Sequence, residues 1–209
     1  RAVAIKVLKD ELRTHPAVVA RFRREAEAIA TLDDPNIVRV YAVGDSGGVP
    51  YIVMEYVEGV PLSEILVENG SLSWEETLDI AIQVANALVC AHERQIIHRD
   101  IKPANLTIHS GNEGVILDFG IAISDGRTKI TQNGLIPGTL PYMPPEVFEG
   151  DIAEPHKTDI YALGLVLYEA LTGHSPFAED PGSSGTHEMV LGWDLMGRSR
   201  AQPAMPLGW

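Results

Sequence analysis

The stretch whose reading decides the fold is Ile96–Leu106, "IIHRDIKPANL". Asp100, Lys102 and Asn105 set an acid, a base and an amide within six residues, just after a long helical pattern and just before a short apolar run. Downstream, "VILDFG" (Val115–Gly120) places a second carboxylate, Asp118, directly behind an apolar strand. An amide and a carboxylate close together are hard oxygen ligands of the kind Mg²⁺ accepts while it keeps several waters and binds substrate phosphates. Asp100 is then left to orient a hydroxyl and take its proton.

Upstream, "RAVAIKVLKD" (Arg1–Asp10) sets Lys6 in a short strand-like run. Alone, this fits a strand lysine whose head snorkels to water. Glu25 points to another use. It follows Val18 by seven residues and Phe22 by three, and precedes Ile29 by four, so it shares the apolar face of its helix. A carboxylate there needs a partner, and a strand lysine in the same small lobe can supply one. Lys6 and Lys102 can also offset phosphate charge. Phosphoryl transfer asks for this set of parts, because it relies on positioning and charge stabilisation more than on covalent chemistry.

The composition is that of an ordinary globular chain: 209 residues, 45% hydrophobic and 22% charged. A net charge of -13 and a pI near 4.9 argue against a nucleic-acid-binding surface. The one cysteine, Cys90, allows no internal disulfide and fits a reducing compartment; mid-helix on an apolar stretch, it is expected to be buried and inert. No apolar run reaches the roughly 18 residues of a transmembrane helix, and no signal peptide opens the chain.

Periodicity predicts a strand over 2–8, a helix over 16–32 with Pro16 in its first turn, and strands over 37–43 and 50–57 joined by "GDSGG" as a hairpin turn. A short helix is expected near 61–68. The helix over 73–94 opens on a Ser73–Glu76 capping box, with Leu78, Ile82, Ala85, Leu88 and Val89 as its apolar set. Short β-like pieces follow near 96–98, 106–109 and 115–118, then a long loop over 119–145. The helix over 159–172 is apolar nearly all round and is expected to be buried, with Gly173 as its stop and Asp159 at its start as a cap. After Ala178 no period is sustained, and poor order is expected there.

"VAIK", "HRDIKPAN", "DFG", "GTLPYMPPE" and "DIYALG" stand in the order and rough spacing of the protein kinase family, and several separated motifs together make a specific signature. Over about residues 1–177 the chain resembles bacterial Ser/Thr protein kinases of the eukaryotic-like type. The resemblance implies an α+β, two-lobed, protein-kinase-like fold. A small β-rich lobe without its first two strands would cover 1–57, and a mainly helical large lobe with catalytic loop and activation segment would cover 58–177, with an atypical tail over 178–209.

It also implies roles. Lys6 would hold the α- and β-phosphates of ATP and pair with Glu25. Asp100 would be the catalytic base, Lys102 would neutralise the γ-phosphate, and Asn105 and Asp118 would hold Mg²⁺. Met54 would be the gatekeeper, Glu55 and Val57 would offer backbone groups to adenine, and Ala4 would pack on the ring. His98 would pack with Phe119 as structure, Asp159 would brace the catalytic loop, and Arg99 would pair with a phosphorylated loop residue. Thr139 would contact the catalytic Asp100, and Thr131 would be the activating phosphorylation site. The implied partner is a protein carrying Ser or Thr, with self-association for autophosphorylation. The implied location is the cytoplasm, or the cytoplasmic part of a longer membrane-anchored protein.

Three departures stand beside the resemblance. No Gly-rich loop precedes "VAIK", and the tail offers Glu146 only Arg198 and Arg200, in no recognisable context. Thr107 stands where a larger apolar residue packs under adenine, and "PPE" replaces Ala-Pro-Glu. The chain therefore reads as a kinase domain cut at both ends, expected to transfer phosphate weakly or not at all by itself while a complete parent is active. A kinase-like regulatory module without catalysis and a small-molecule kinase of related fold are the alternatives. The intact Lys6, Glu25, Asp100, Asn105 and Asp118 count against the first, and the activation-segment motif counts against the second. Thr131→Ala should lower the activity of the parent; unchanged activity and phosphate content would exclude Thr131 as the activating site.

Overall fold

The expected hairpin is present, and its turn is only two residues long. In the computed structural model, which describes residues 1–109, 111–119, 140–149 and 154–177, Ser46 faces Val49 across Gly47 and Gly48. Both glycines have positive φ, 61° and 83°. That conformation matches the twist of the flanking strands and carries no steric penalty without a Cβ. Asp45 Oδ1 accepts the Gly48 N–H at 2.8 Å. The turn joins β2 (Val40–Ser46) to β3 (Val49–Glu55), and β1 (Val3–Val7) pairs antiparallel on the other side of β3. The first hairpin strand starts at Val40 and not at 37, because the backbone there is already engaged. Val38 N–H bonds Ile116 O at 3.0 Å, and Ile116 N–H bonds Asn36 O at 2.8 Å.

Period-two geometry places the side chains of this sheet. Val3, Ile5 and Val7 are exposed, so Ala4 and Lys6 lie on the opposite face of β1. On β3, Pro50, Ile52 and Met54 are buried. Helix α1 (Asp10–Arg13) leads into α2 (Pro16–Ile29), which has Pro16 at its start and buries Phe22, Ala26 and Ile29. These residues join Ile52 and Met54 in a cluster that continues through Leu62, Val84, Leu88, Ile116 and Val166. Each fully buried aliphatic side chain contributes about 1.5–3 kcal/mol.

The second sheet is β4 (Val60–Pro61), β5 (Leu106–His109) and β6 (Glu113–Ile116), in that order. Between β4 and β5 run α3 (Leu62–Asn69) and α4 (Trp74–Glu93). The capping box at the head of α4 forms: Ser73 Oγ accepts the Glu76 N–H at 3.2 Å, and Glu76 Oε2 accepts the Ser73 N–H at 2.9 Å. The buried face of α4 differs from the expected one. Thr77, Ile80, Val84, Ala87, Leu88 and Ala91 are buried, while Leu78, Ile82 and Val89 are 48%, 52% and 55% exposed. The helix carries two apolar stripes, and periodicity alone does not say which one meets a neighbour.

A turn of 3₁₀ helix over Leu140–Tyr142 and the short α5 (Pro145–Glu149) occupy the described end of the long segment after β6. Helix α6 (His156–Thr172) packs against α4. It is not buried all round: Ala162, Leu163, Val166 and Ala170 face the core, while Ile160, Tyr168 and Leu171 are exposed. It stops where expected, at Gly173 with φ 79°, where an added Cβ would lie 2.4 Å from the Gly70 carbonyl oxygen. Residues Arg1–Ser175 cluster as one compact unit. The tail expected over 178–209 lies outside the described residues, and among those described no helix is long and apolar enough to cross a membrane. Replacing Ser73 by Ala removes the capping box and should lower stability by about 1 kcal/mol, read as a lower urea midpoint at unchanged slope.

Candidate active site

The segment 96–98, expected as a strand, is not one: its Ile96 N–H bonds Ala91 O at the end of α4 at 3.0 Å, and its His98 N–H bonds a carboxylate. Asp159, wholly buried in the first turns of α6, accepts the His98 N–H on Oδ2 at 2.9 Å and the Arg99 N–H on Oδ1 at 2.7 Å. His92 Nε2, from the last turn of α4, lies 2.8 Å from Oδ2. Asp159 therefore braces the loop and does not cap its own helix, whose N-cap is Pro155. Arg99 is held at φ 66° and Asp118 at φ 46°. Left-handed backbone costs a non-glycine residue about 1–3 kcal/mol, which the charge-assisted bond to the Arg99 N–H helps to offset.

His98 is the second anchor. Its Nδ1 accepts the Asp100 N–H at 3.2 Å and its Nε2 lies 2.8 Å from Leu117 O, so the proton sits on Nε2. Burial pushes the imidazole pKa down, against the charge of Asp159, and the ring is neutral. It packs against Phe119 with ring centroids 4.6 Å apart. Leu117 N–H bonds Asn105 O at 2.8 Å. The Leu117 N–H continues the Leu106–Ile116 pairing by one step, while Leu117 O is taken by His98, and β6 ends at Ile116.

Around these anchors the predicted residues gather. Asp100 Oδ1 and Oδ2 lie 3.0 and 2.8 Å from Lys102 Nζ. Asn105, in a turn of 3₁₀ helix over Pro103–Asn105, donates its amide to Asp100 O at 2.7 Å and to Asp100 Oδ2 at 2.8 Å. Lys6 Nζ lies 2.9 Å from Asp118 Oδ1. With side chains 33% and 48% exposed, that pair adds at most about 1 kcal/mol; its meaning is placement.

The remaining candidates fall as follows. Glu25 is half-buried on α2 beside Phe22 and Ala26, with one carboxylate oxygen out of solvent. Ala4 stands opposite Met54 in the β1–β3 register. Met54 is buried, Val57 is half-buried, and Glu55 Oε1 lies 3.0 Å from Arg1 Nη2. Arg99 has an exposed side chain, and Thr107 is buried. Cys90 is half-buried rather than buried, with Arg94 Nη1 3.4 Å from its sulfur. Glu146 lies close enough to Tyr161 to add to the raised phenol pKa there, after burial. Thr131, Thr139, Arg198 and Arg200 lie outside the described residues.

Two features carry no signal in the sequence. His92 reads as one polar residue near a helix end, and only the fold brings it to Asp159. Tyr142 Oη donates to Glu169 Oε2 at 2.5 Å. Burial, and then this carboxylate, push the phenol pKa up. Both residues line a cavity of about 520 Å³ together with Lys102, Pro103, Ala104 and Leu66.

The arrangement sets the Asp100 carboxylate against Lys102 and Asn105 on one loop, and Lys6 of β1 against Asp118 behind β6, residue types suited to moving a phosphoryl group. Comparison with known proteins agrees. The protein kinase domain model matches residues 1–202. Serine/threonine-protein kinase PrkC of Bacillus subtilis is 47% identical over 178 residues, which are 85% of this chain and 27% of that protein. Serine/threonine-protein kinase PknB of Mycobacterium tuberculosis is 42% identical over 196 residues, which are 91% of this chain and 31% of that protein. The chain thus spans about a third or less of these curated relatives. The crystal structure of the M. tuberculosis PknI kinase domain aligns with TM-score 0.68 at 31% identity, covering 88% of this chain and 66% of that one.

The neutral, buried His98 makes a prediction. Below the ordinary histidine pKa of about 6.5, the unfolded chain takes up a proton that the folded chain refuses. The stability present above that pH is lost as pH falls toward the lowered folded pKa. Urea unfolding between about pH 7.5 and 5 should show a steeper loss on acidification for the native chain than for His98→Asn; equal slopes would contradict the burial argument.

Proposed function

The chain belongs to the protein kinase domain family, and from that premise we propose that it is the catalytic part of an ATP- and Mg²⁺-dependent Ser/Thr protein kinase that phosphorylates protein hydroxyls. The observation that carries this is the single hydrogen-bonded set Asp100–Lys102–Asn105 standing with the Lys6–Asp118 pair. A small lobe over 1–57 and a large lobe over 58–177 are part of the same proposal, as is a location on the cytoplasmic side.

The donor set fits Mg²⁺. Asn105 spends its amide nitrogen on Asp100, which leaves its oxygen as the lone-pair end. Asp118, half-exposed, uses Oδ1 on Lys6 and keeps a second oxygen. Two hard oxygens, one on the half-exposed Asp118 and one on the buried, hydrogen-bonded Asn105, suit a cation that takes few protein ligands and retains its waters. When bound, the metal and ATP supply the charge screening and the phosphoryl group itself.

The chain's own groups do the rest. Lys6 holds phosphate oxygens, and Glu25 is the α2 carboxylate that offsets its charge. Ala4, Met54 and the backbone of Glu55 and Val57 frame the base. Asp100, its carboxylate fixed by Lys102 and Asn105, orients the substrate hydroxyl and accepts its proton. Lys102 faces the charge that develops on the transferred group. The proposed partner is a protein presenting Ser or Thr, a second copy of the chain included.

Transfer of labelled phosphate from ATP to a generic basic protein tests this, using the longest natural form of the chain. Asp100→Asn should reduce the rate by about 10²-fold or more while nucleotide binding persists. Nucleotide binding without any transfer by the native protein would favour a non-catalytic module, and transfer only to a small molecule would overturn the protein-kinase assignment.

A further inference from the structure

We propose that His92 is a positioning residue for phosphoryl transfer, acting through Asp159 on the backbone that carries Asp100; the role rests on the kinase reading of Asp100. Asp159 receives donors from three places. Two are the consecutive N–H groups of His98 and Arg99, which take one carboxylate oxygen each at 2.9 and 2.7 Å. They fix the loop relative to the carboxylate. The third is His92 Nε2, 2.8 Å from Oδ2, which fixes the carboxylate relative to α4.

The imidazole is itself held. Its side chain is 16% exposed, and its ring meets the His156 ring edge-on, with centroids 6.0 Å apart and planes at 64°. A fully buried carboxylate with a fixed third donor has no water to turn toward, so its orientation is set by protein alone. The next residue after this grip is Asp100. Arg99, at φ 66°, has a lower-energy conformation to relax into if the grip loosens.

Misplacement of a reacting group by about 1 Å can cost on the order of 10²-fold in rate. Loss of the His92 donor should therefore appear in kcat. It should spare the KM for ATP, since Lys6, Met54 and Val57 belong to a different sheet and connection.

The test compares His92→Leu with His92→Gln, whose amide nitrogen can stand where Nε2 stands. In the native protein and both variants, kcat and KM for ATP are measured, together with hydrogen exchange at the His98 and Arg99 amides. For His92→Leu, kcat should fall by about tenfold or more with KM changed less than about twofold, and the two amides should exchange faster while Ile52 and Val53 keep their rates. His92→Gln should restore most of both. Native kcat and intact protection in the leucine variant, no rescue by glutamine, or faster exchange throughout the chain would overturn the role. If the native protein transfers no phosphate, the kinase reading fails, and the exchange comparison still decides whether His92 positions the loop. Should the leucine variant not fold, His92→Asn, too short to reach Asp159, takes its place with the same expected outcomes.

Discussion

One buried carboxylate organises the loop that carries Asp100. Asp159 is wholly inaccessible, and a charge so placed is tolerated only when hydrogen-bond donors surround it. The chain meets that demand with the His98 and Arg99 N–H groups and the His92 ring. The cost of burying the charge thus becomes a constraint on the loop. Residues 98 and 99 cannot join a sheet, Arg99 is held left-handed, and Asp100 emerges in one direction. The neutral His98 repeats the device, tying Asp100 N–H to Leu117 O and so linking the loop to the strand that delivers Asp118.

The other half of the site depends on strand periodicity. Exposed Val3, Ile5 and Val7 leave Lys6 on the opposite face of β1, from which it reaches Asp118. This pair does not matter much for stability, because partly exposed ion pairs contribute little. What it shows is placement: β1 meets the end of β6 through Lys6 and Asp118, and the loop after α4 is tied to the same segment through His98 and Leu117.

Much of this was legible in the residues. Capping chemistry, the two-glycine turn and the glycine stop of α6 are local, so Ser73–Glu76, Gly47–Gly48 and Gly173 carry their own signals. Asp100, Lys102 and Asn105 sit within one short segment, and sequence proximity forces them into a shared neighbourhood. The failures were of another kind. Leu78, Ile82 and Val89 are as apolar as the residues α4 buries, and no local rule chooses between two such stripes. Local rules read Asp159 as a cap, and only the family resemblance pointed to the loop it braces, because its partners lie about sixty residues away.

The sequence by itself determined the main helices, the Val40–Glu55 hairpin, their order and the chemistry available, because propensity, turn geometry and side-chain functional groups act over a few residues. Only the tertiary structure decided which face of α4 is core, that Ile96–His98 is loop and not strand, and that His92 meets Asp159. Those outcomes depend on which distant groups arrive to satisfy a buried charge or cover an apolar stripe, and no short stretch of chain contains that information.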